Sequence, residues 1–519
     1  MNSRTNRRAG VEGAIASNRS RKTERRPEQD EAQRENRRLQ QENRKLREQL
    51  AERDKKIADA EKQIADAEKQ IADLERELVG YKKNSRNSSK PPSTDGLTGE
   101  QGRRRRGKRS GRRPGGQPGH DGAYRLMVEG RQIDEIVPIL PAECKHCGHQ
   151  LPQQGKRLQT VGKVHCHQVT ELPEIKPWIT EYQCPKVLCP DCGKGTRAPL
   201  PEEFQDQFGP QLTALIAYMT VVCRMPRRVV EAFLENVLHI PVSLGSTQKA
   251  WEETSEALQQ PCQELQEQLK SEPVLNTDET GWRNGGEKRW MWALVAQGFV
   301  FYTVAANRSS AVLIHLLGAV FQGVLCSDRA KAYQKYHRGS AQWCWAHLKR
   351  NILGILDFAK STEAERFCRD ALALHARLFR LWHRHRGDEG SRQQLVRKSI
   401  PLQKKFFALA ESHLDSKDRE VCNMAHALFM NSGRLFTFLE VPGVEPTNNV
   451  AEWALRIAVQ WRKVVFGNRS RQGEIATARL LTATQTCKIQ RRNALDYLTD
   501  AVRCHRKGTS APSLLPQQK

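Results

Sequence analysis

The stretch PVLNTDETGW, residues 273–282, begins as an apolar run and then meets two adjacent carboxylates before a Gly-Trp. A buried strand does not normally finish on an acid, because an unpaired charge is costly to remove from water. Downstream, KRWMWALVA (288–296) and FVFYTVA (299–305) are strand-like, with Gly298 as the turn between them. SSAVLIHLLGAV (309–320) has helical periodicity, and GVLCSD (323–328) is a second apolar run that ends in an acid. The pattern predicts a β-β-α connection with Asp278 and Asp328 at the carboxyl ends of two strands of one mixed sheet. Successive strand residues face opposite sides, so one of Asp278 and Glu279 shares a site with Asp328. Asp278 is the expected partner, with Glu279 starting a turn into Thr280-Gly281-Trp282.

Two carboxylates on one sheet suit hard divalent cations, Mg2+ (or Mn2+), which prefer oxygen ligands. A pair of such ions is an arrangement for phosphoryl transfer, and it calls for a third acid. TNNVAEWALRIAVQWRKVVFGNRS (447–470) supplies one: Thr447 or Asn448 caps a helix on which Asn448, Glu452 and Arg456 share a face. Arg456 is the expected DNA contact on that helix. The interval from Asp328 to Glu452 is too long for a single crossover. Its apolar pattern predicts a helical insertion over 352–440. In CWAHLKRN (344–351), His347 and Arg350 either touch DNA or a metal-bound water, or belong to a packed core helix.

The whole chain of 519 residues carries 85 Lys plus Arg against 59 Asp plus Glu, a formal charge of +26. Such a balance implies a polyanionic partner. No stretch reaches the roughly 18–20 apolar residues of a membrane span, and MNSRTNRRAG has no apolar signal core. The 14 cysteines, mostly scattered singles, suit a reducing cytosol, and a cytoplasmic location is expected.

Residues 1–28 read as a disordered basic tail. From 29 to 80 the chain is heptad sequence, with Asn36, Asn43, Leu50, Ile57, Ile64, Ile71 and Leu78 at position a. The d series is Ala32, Leu39, Leu46, Arg53, Ala60, Ala67 and Leu74. This predicts a coiled coil, parallel because buried Asn finds its partner only in register, giving a homodimer or a higher assembly. Residues 81–125 form a flexible basic arm in which Arg103, Arg104, Arg105, Arg106, Arg112 and Arg113 reach DNA phosphates. The segment 126–205 contains Cys144-Lys-His-Cys147 and Cys189-Pro-Asp-Cys192, each followed by Gly. Four thiolates in two such pairs match one closed, structural Zn2+ site, with Cys166, Cys184, His165 and His167 as spare ligands. Residues 206–270 read as three short helices with a Pro-bounded turn before the third, either a helix-turn-helix-like DNA-binding region or a common helical packing unit. The core occupies 271–351 and 441–505, and 506–519 reads as a disordered tail.

The chain resembles, nearly end to end, the transposases of the insertion sequence 66 family. The likeness rests on NSSKPPSTD (87–95), GGQPGH (115–120), the paired C-x-x-C, TDETGW (277–282), SDRAKAY (327–333), CWAHLKRN (344–351) and TNNVAEWALR (447–456). It implies a bacterial, nucleoid-associated DDE enzyme with a ribonuclease-H-like core. The implied activity is metal-dependent strand cleavage and strand transfer between the terminal inverted repeats of the element and a target, with accessory proteins of the same element as further partners. Asp278, Asp328 and Glu452 match the catalytic acids of that group. Trp453 stands where an Arg is commoner, and Cys184 adds a thiol near the second pair. The expected fold is thus a multidomain α+β chain: coiled coil, zinc-binding four-cysteine module, helical DNA-binding region, and a mixed α/β core with a helical insertion. The residues leave open two other functions. One is a dimeric zinc-containing DNA-binding protein whose core has lapsed; the other is a nuclease that hydrolyses without joining strands.

Overall fold

The computed structural model describes residues 27–84, 87–88, 126–201, 206–386 and 389–516. The expected N-terminal tail and the basic arm from Arg103 to Arg113 lie outside these residues. The chain divides into two units, Met1–Lys83 and Asn84–Lys519. The first is built on one helix, α1 (Pro27–Lys82), of 56 residues, about 84 Å long at 1.5 Å per residue. Leu50, Ile57, Ile64, Ile71 and Leu78 recur every seven residues along it, and all five are exposed. Leu39, Leu46 and Leu74 are exposed as well, and among the polar residues Arg44–Glu48 and Lys56–Glu52 pair at i,i+4.

The second unit opens with largely irregular chain, within which β1 (Lys186–Leu188) and β2 (Gly195–Arg197) form an antiparallel ribbon. Four helices follow: α2 (Pro210–Val221), α3 (Arg227–Leu238), α4 (Leu244–Ala257) and α5 (Gln259–Gln268). The Ser243 hydroxyl caps α4 by accepting the Ser246 N–H. One face of α4 is buried through Thr247, Ala250, Trp251 and Thr254. Glu256 is exposed on this helix, while Glu253 turns inward to Arg506, whose Nε lies 2.6 Å from its Oε1.

The centre is a five-stranded sheet made from β3 (Val274–Asn284), β4 (Glu287–Val295), β5 (Val300–Ala305), β6 (Val324–Ser327) and β7 (Ala341–Trp343). Its order is β5-β4-β3-β6-β7. β3, β4 and β5 are antiparallel neighbours, whereas β6 and β7 run parallel to β3. A short helix, α6 (Ser310–Leu317), crosses from β5 to β6, and α7 (Lys331–Tyr336) joins β6 to β7. β3 is longer than its sequence suggested. Glu279 starts no turn; it pairs with Trp292, and the ladder continues to Asn284 opposite Glu287. The turn is Gly285-Gly286, both at positive φ, as a two-residue hairpin requires.

Both sheet edges are covered. Beside β5, Thr482 and Thr486 of α14 (Arg471–Ile489) accept the Tyr302 and Val300 N–H groups. Beside β7, Thr437 donates to the Ala341 carbonyl and Gln342 accepts the Phe438 N–H. One apolar core joins the sheet to α14, to α13 (Asn449–Val465) and to α15 (Ala494–Arg506). A second core lies among α8 (Trp345–Asp357), α9 (Thr362–His385), α10 (Glu389–Glu411), α11 (Arg419–Met430) and α12 (Thr437–Glu440), with β7 at its border. Residues 507–516 are not a loose tail. Leu514 is fully buried in the first core, Tyr497 donates to Pro512 O, and Gln490 donates to Leu514 O. Ala511 and Leu515 pack against the same core, and Arg492 donates to Ser513 O at 2.9 Å, so apolar burial and hydrogen bonds together hold this segment.

Candidate active site

The parallel pairing of β3 with β6 ends at Asn276 opposite Cys326. Two residues further on each strand stand Asp278 and Asp328, and equal steps along parallel strands keep side chains on one face. Asp278 sits mid-strand in β3, just past the parallel stretch, and its carboxylate accepts the Glu279 N–H at 2.9 Å. Asp328 follows the last residue of β6 and accepts the Ala330 N–H at 2.8 Å, closing the turn into α7.

Cross-strand register shows which helix covers this face. Asp278 pairs with Ala293, and Ala293 with Tyr302, so the three share a face. The Tyr302 hydroxyl donates to the Ala454 carbonyl of α13 at 2.9 Å. The helix bearing Glu452 therefore covers the Asp278 face. Asn448, buried at the N-cap of α13, fixes its height: its side-chain amide donates to Thr277 O at 2.8 Å, and its backbone N–H to Cys344 Sγ at 3.2 Å. Glu279 faces the other way. It accepts the Tyr333 hydroxyl of α7, whose ring meets Trp292 edge-on, and Arg308 lies 4.0 Å away.

These acids form a cluster of like charge. The Asp278 carboxyl is pushed well above the usual carboxylate range by burial first, then by Glu279, Asp328 and Glu452. Burial also raises Glu279, opposed by the Tyr333 hydrogen bond, and Asp328 adds to the rise. Asp328 is thus felt on both sides of β3. Among the described residues no Lys or Arg pairs with Asp278 or Asp328; Arg329 turns instead to Asn351 at 3.0 Å.

Glu452 lies between His347 Nδ1, 3.5 Å from its Oε1, and Arg350 Nη2, 3.4 Å from its Oε2. Glu452 Oε1 and His347 Nδ1 are nevertheless buried atoms without a hydrogen-bond partner. Burial holds the His347 ring below its ordinary pKa and pushes the Cys344 thiol up to about 11. His347 and Arg350 are therefore placed against the third acid. Sequence reasoning missed Cys344 as their companion, although the spacing Cys344-x-x-His347 was its signal. Arg456 and Trp453 are exposed on the same helix.

The two C-x-x-C segments fold into matching turns. Cys144 N–H donates to His149 O at 2.8 Å and Gly148 N–H to Cys144 O at 2.9 Å; Cys189 with Lys194, and Gly193 with Cys189, repeat this at 2.9 Å each. Gly148 and Gly193 both take positive φ. Backbone amides of each turn lower the thiol of its first cysteine, His146 leading at Cys144 and Cys192 at Cys189. The four thiols do not gather into one group; among the described residues the ligand cluster that does form is Cys344, His347 and Glu452.

The sequence model of the Transposase IS66 family matches residues 205–476, more than half of the chain. The chain belongs to that family. The matched span contains the sheet, the helical module and all three acids, and family membership implies an enzyme acting on DNA with divalent metal. Residues 20–126 match a Family of unknown function (DUF6444). The Uncharacterized protein y4qI of Sinorhizobium fredii (strain NBRC 101917 / NGR234) is 28% identical over 240 residues, which cover 41% of this chain and 43% of that protein. The match thus spans less than half of that relative's length. No helix among the described residues is long and apolar enough to cross a membrane.

Proposed function

We propose that this IS66-family transposase cleaves DNA strands at the terminal inverted repeats of its element and joins the freed 3′ ends to target DNA, with Asp278, Asp328 and Glu452 as the catalytic acids of a ribonuclease-H-like core. The observation that carries this reading is the placement of Asp278 and Asp328 at equivalent positions of adjacent parallel strands, under the helix that bears Glu452. An all-oxygen donor set suits two Mg2+ (or Mn2+) ions. The Asp278 carboxyl, raised by burial and by its acidic neighbours, and the unpartnered Glu452 Oε1 support a cation-binding role for this cluster. When bound, the ions neutralise the scissile phosphate and activate the attacking oxygen. The protein's own share is positional. Asn448 ties the helix of Glu452 to the strand of Asp278, and Tyr333 holds Glu279 on the far face. Exposed Arg456 contacts a phosphate and Trp453 offers a face for base stacking. The basic arm, Arg103 to Arg106 with Arg112 and Arg113, supplies sequence-independent affinity.

Two further assignments belong to the same reading. Cys144, Cys147, Cys189 and Cys192 hold one structural Zn2+, supported by the paired glycine turns; the two turns must approach each other to close it. Zinc well below one equivalent per chain would count against this. The exposed heptad stripe of α1 pairs in a parallel homodimer, and an unchanged solution mass after deletion of 29–80 would count against that. The joining step is tested by mixing the protein, Mg2+, a 3′-hydroxyl-ended duplex carrying the element end, and a supercoiled target. Joined products are expected. Hydrolysis without joining would make the protein a nuclease, and intact binding with neither reaction would mark a lapsed core.

A further inference from the structure

We propose that Cys344, His347 and Glu452 form a second cation site, selective for a thiophilic ion of the zinc class, and that filling it withdraws Glu452 from the magnesium site. The sulfur, a ring nitrogen and a carboxylate oxygen of these residues all lie within 4.8 Å of one another. Two of the three candidate ligand atoms, His347 Nδ1 and Glu452 Oε1, are shut off from solvent and lack a hydrogen-bond partner, though they stand only 3.5 Å apart. Zinc–nitrogen and zinc–oxygen bonds of about 2.0–2.2 Å at tetrahedral angles put those two ligands roughly 3.4 Å apart, and a sulfur at about 2.3 Å slightly farther. The 3.5 Å between them matches the separation that two ligands of one zinc-class ion take.

The scaffold favours the same arrangement. Cys344 caps α8 and His347 lies in its first turn, so both donors come from one helix start; Glu452 comes from the first turn of α13. The Asn448 N–H points at the sulfur at 3.2 Å and stabilises a thiolate there. Thiolate and imidazole select zinc-class ions, whereas the carboxylates of Asp278 and Asp328 select magnesium. Glu452 is the group both sites need. Arg350 is the competitor: its Nη2 lies 3.4 Å from Glu452 Oε2 and its Nη1 3.4 Å from His347 Nε2, and it must move when the ion enters.

The binding claim stands alone; the inhibitory claim rests on the reading of Glu452 as the third catalytic acid. The test uses full-length protein with its four-cysteine region already loaded with zinc, titrated with Co2+. One additional equivalent should produce thiolate-to-cobalt charge-transfer absorption, weakened about tenfold or more in Cys344→Ser and in His347→Ala. No such band in the wild type, or a band unchanged in both variants, would overturn the site. Cleavage in Mg2+ is then measured with and without micromolar Zn2+, as a ratio within each protein. A wild-type ratio about tenfold below that of Cys344→Ser supports inhibition through this site, and equal ratios overturn it. If Glu452→Gln cleaves normally while the cobalt band still depends on Cys344, the catalytic reading of Glu452 fails and the zinc-class site remains.

Discussion

The sheet core and the helical module that follows it are both well packed, yet they differ in the charged groups that they gather. In the helical module Trp345 is fully buried among His375, Phe406 and Phe436, with ring centroids 5.2–5.8 Å away, and its indole N–H reaches Leu435 O at 2.7 Å. Around the end of β6 the interior instead collects Asp278, Glu279, Asp328 and Glu452, and leaves Glu452 Oε1 unpartnered. The module centres on a packed aromatic cluster; the sheet centres on a cluster of acids, the one proposed above to hold cations.

The largest stability effect should come from the packed side. Trp345→Ala should cost about 3–5 kcal/mol, as truncation of a buried aromatic does, and added Mg2+ should not restore it. Chemical denaturation of both proteins checks this. A loss under 1 kcal/mol would show that the module's core is looser than its ring contacts indicate.

His375 sharpens the contrast through pH. Burial lowers its pKa to about 4, and its ring stacks on Phe379 at 4.3 Å. The unfolded chain therefore takes up a proton near pH 6.5 that the folded chain refuses until about pH 4. Stability should fall as pH drops through that window, by roughly 3 kcal/mol from this group. His375→Phe should remove that part of the slope in melts recorded between these limits.

The acids should behave in the opposite sense. A raised Asp278 means the folded chain keeps a proton that the unfolded chain has lost, so the metal-free protein loses stability as pH rises through the raised value. Asp278→Asn should therefore stabilise the metal-free protein at neutral pH, by about 1 kcal/mol or roughly 2 °C in melting temperature. It should also abolish stabilisation by Mg2+. A variant less stable than wild type without metal would mean that Asp278 is held by partners the account does not include.

Much of this was legible in the sequence because it was local. The apolar runs ending at Asp278 and Asp328 mark β3 and β6, and the spacing Asn448-Glu452-Arg456 marks one face of α13. Strand alternation correctly separated Asp278 from Glu279, since Tyr302 and Ala454 tie α13 to the Asp278 face while Tyr333 meets Glu279. What failed depended on partners that a single run of sequence does not show. The strand continued past Asp278 because Thr280 and Trp282 found Met291 and Arg289 across the ladder, and the C-terminal segment is held by Leu514, Ala511 and Leu515 on the core and by hydrogen bonds from Tyr497 and Gln490. Cys344 went unremarked because nothing local announces that its sulfur will meet a glutamate of α13.

The most direct test of the central claim is strand cleavage at an element end in Mg2+, measured for wild type, Asp278→Asn, Asp328→Asn, Glu452→Gln and Glu279→Gln, with affinity for the same duplex recorded in parallel. The account predicts that the first three variants lose cleavage by a factor of about a thousand or more. Their binding should stay within about threefold of wild type, and Glu279→Gln should retain most of its activity. An inactive Glu279→Gln beside an active Asp278→Asn would contradict the assignment of the site to the face covered by α13.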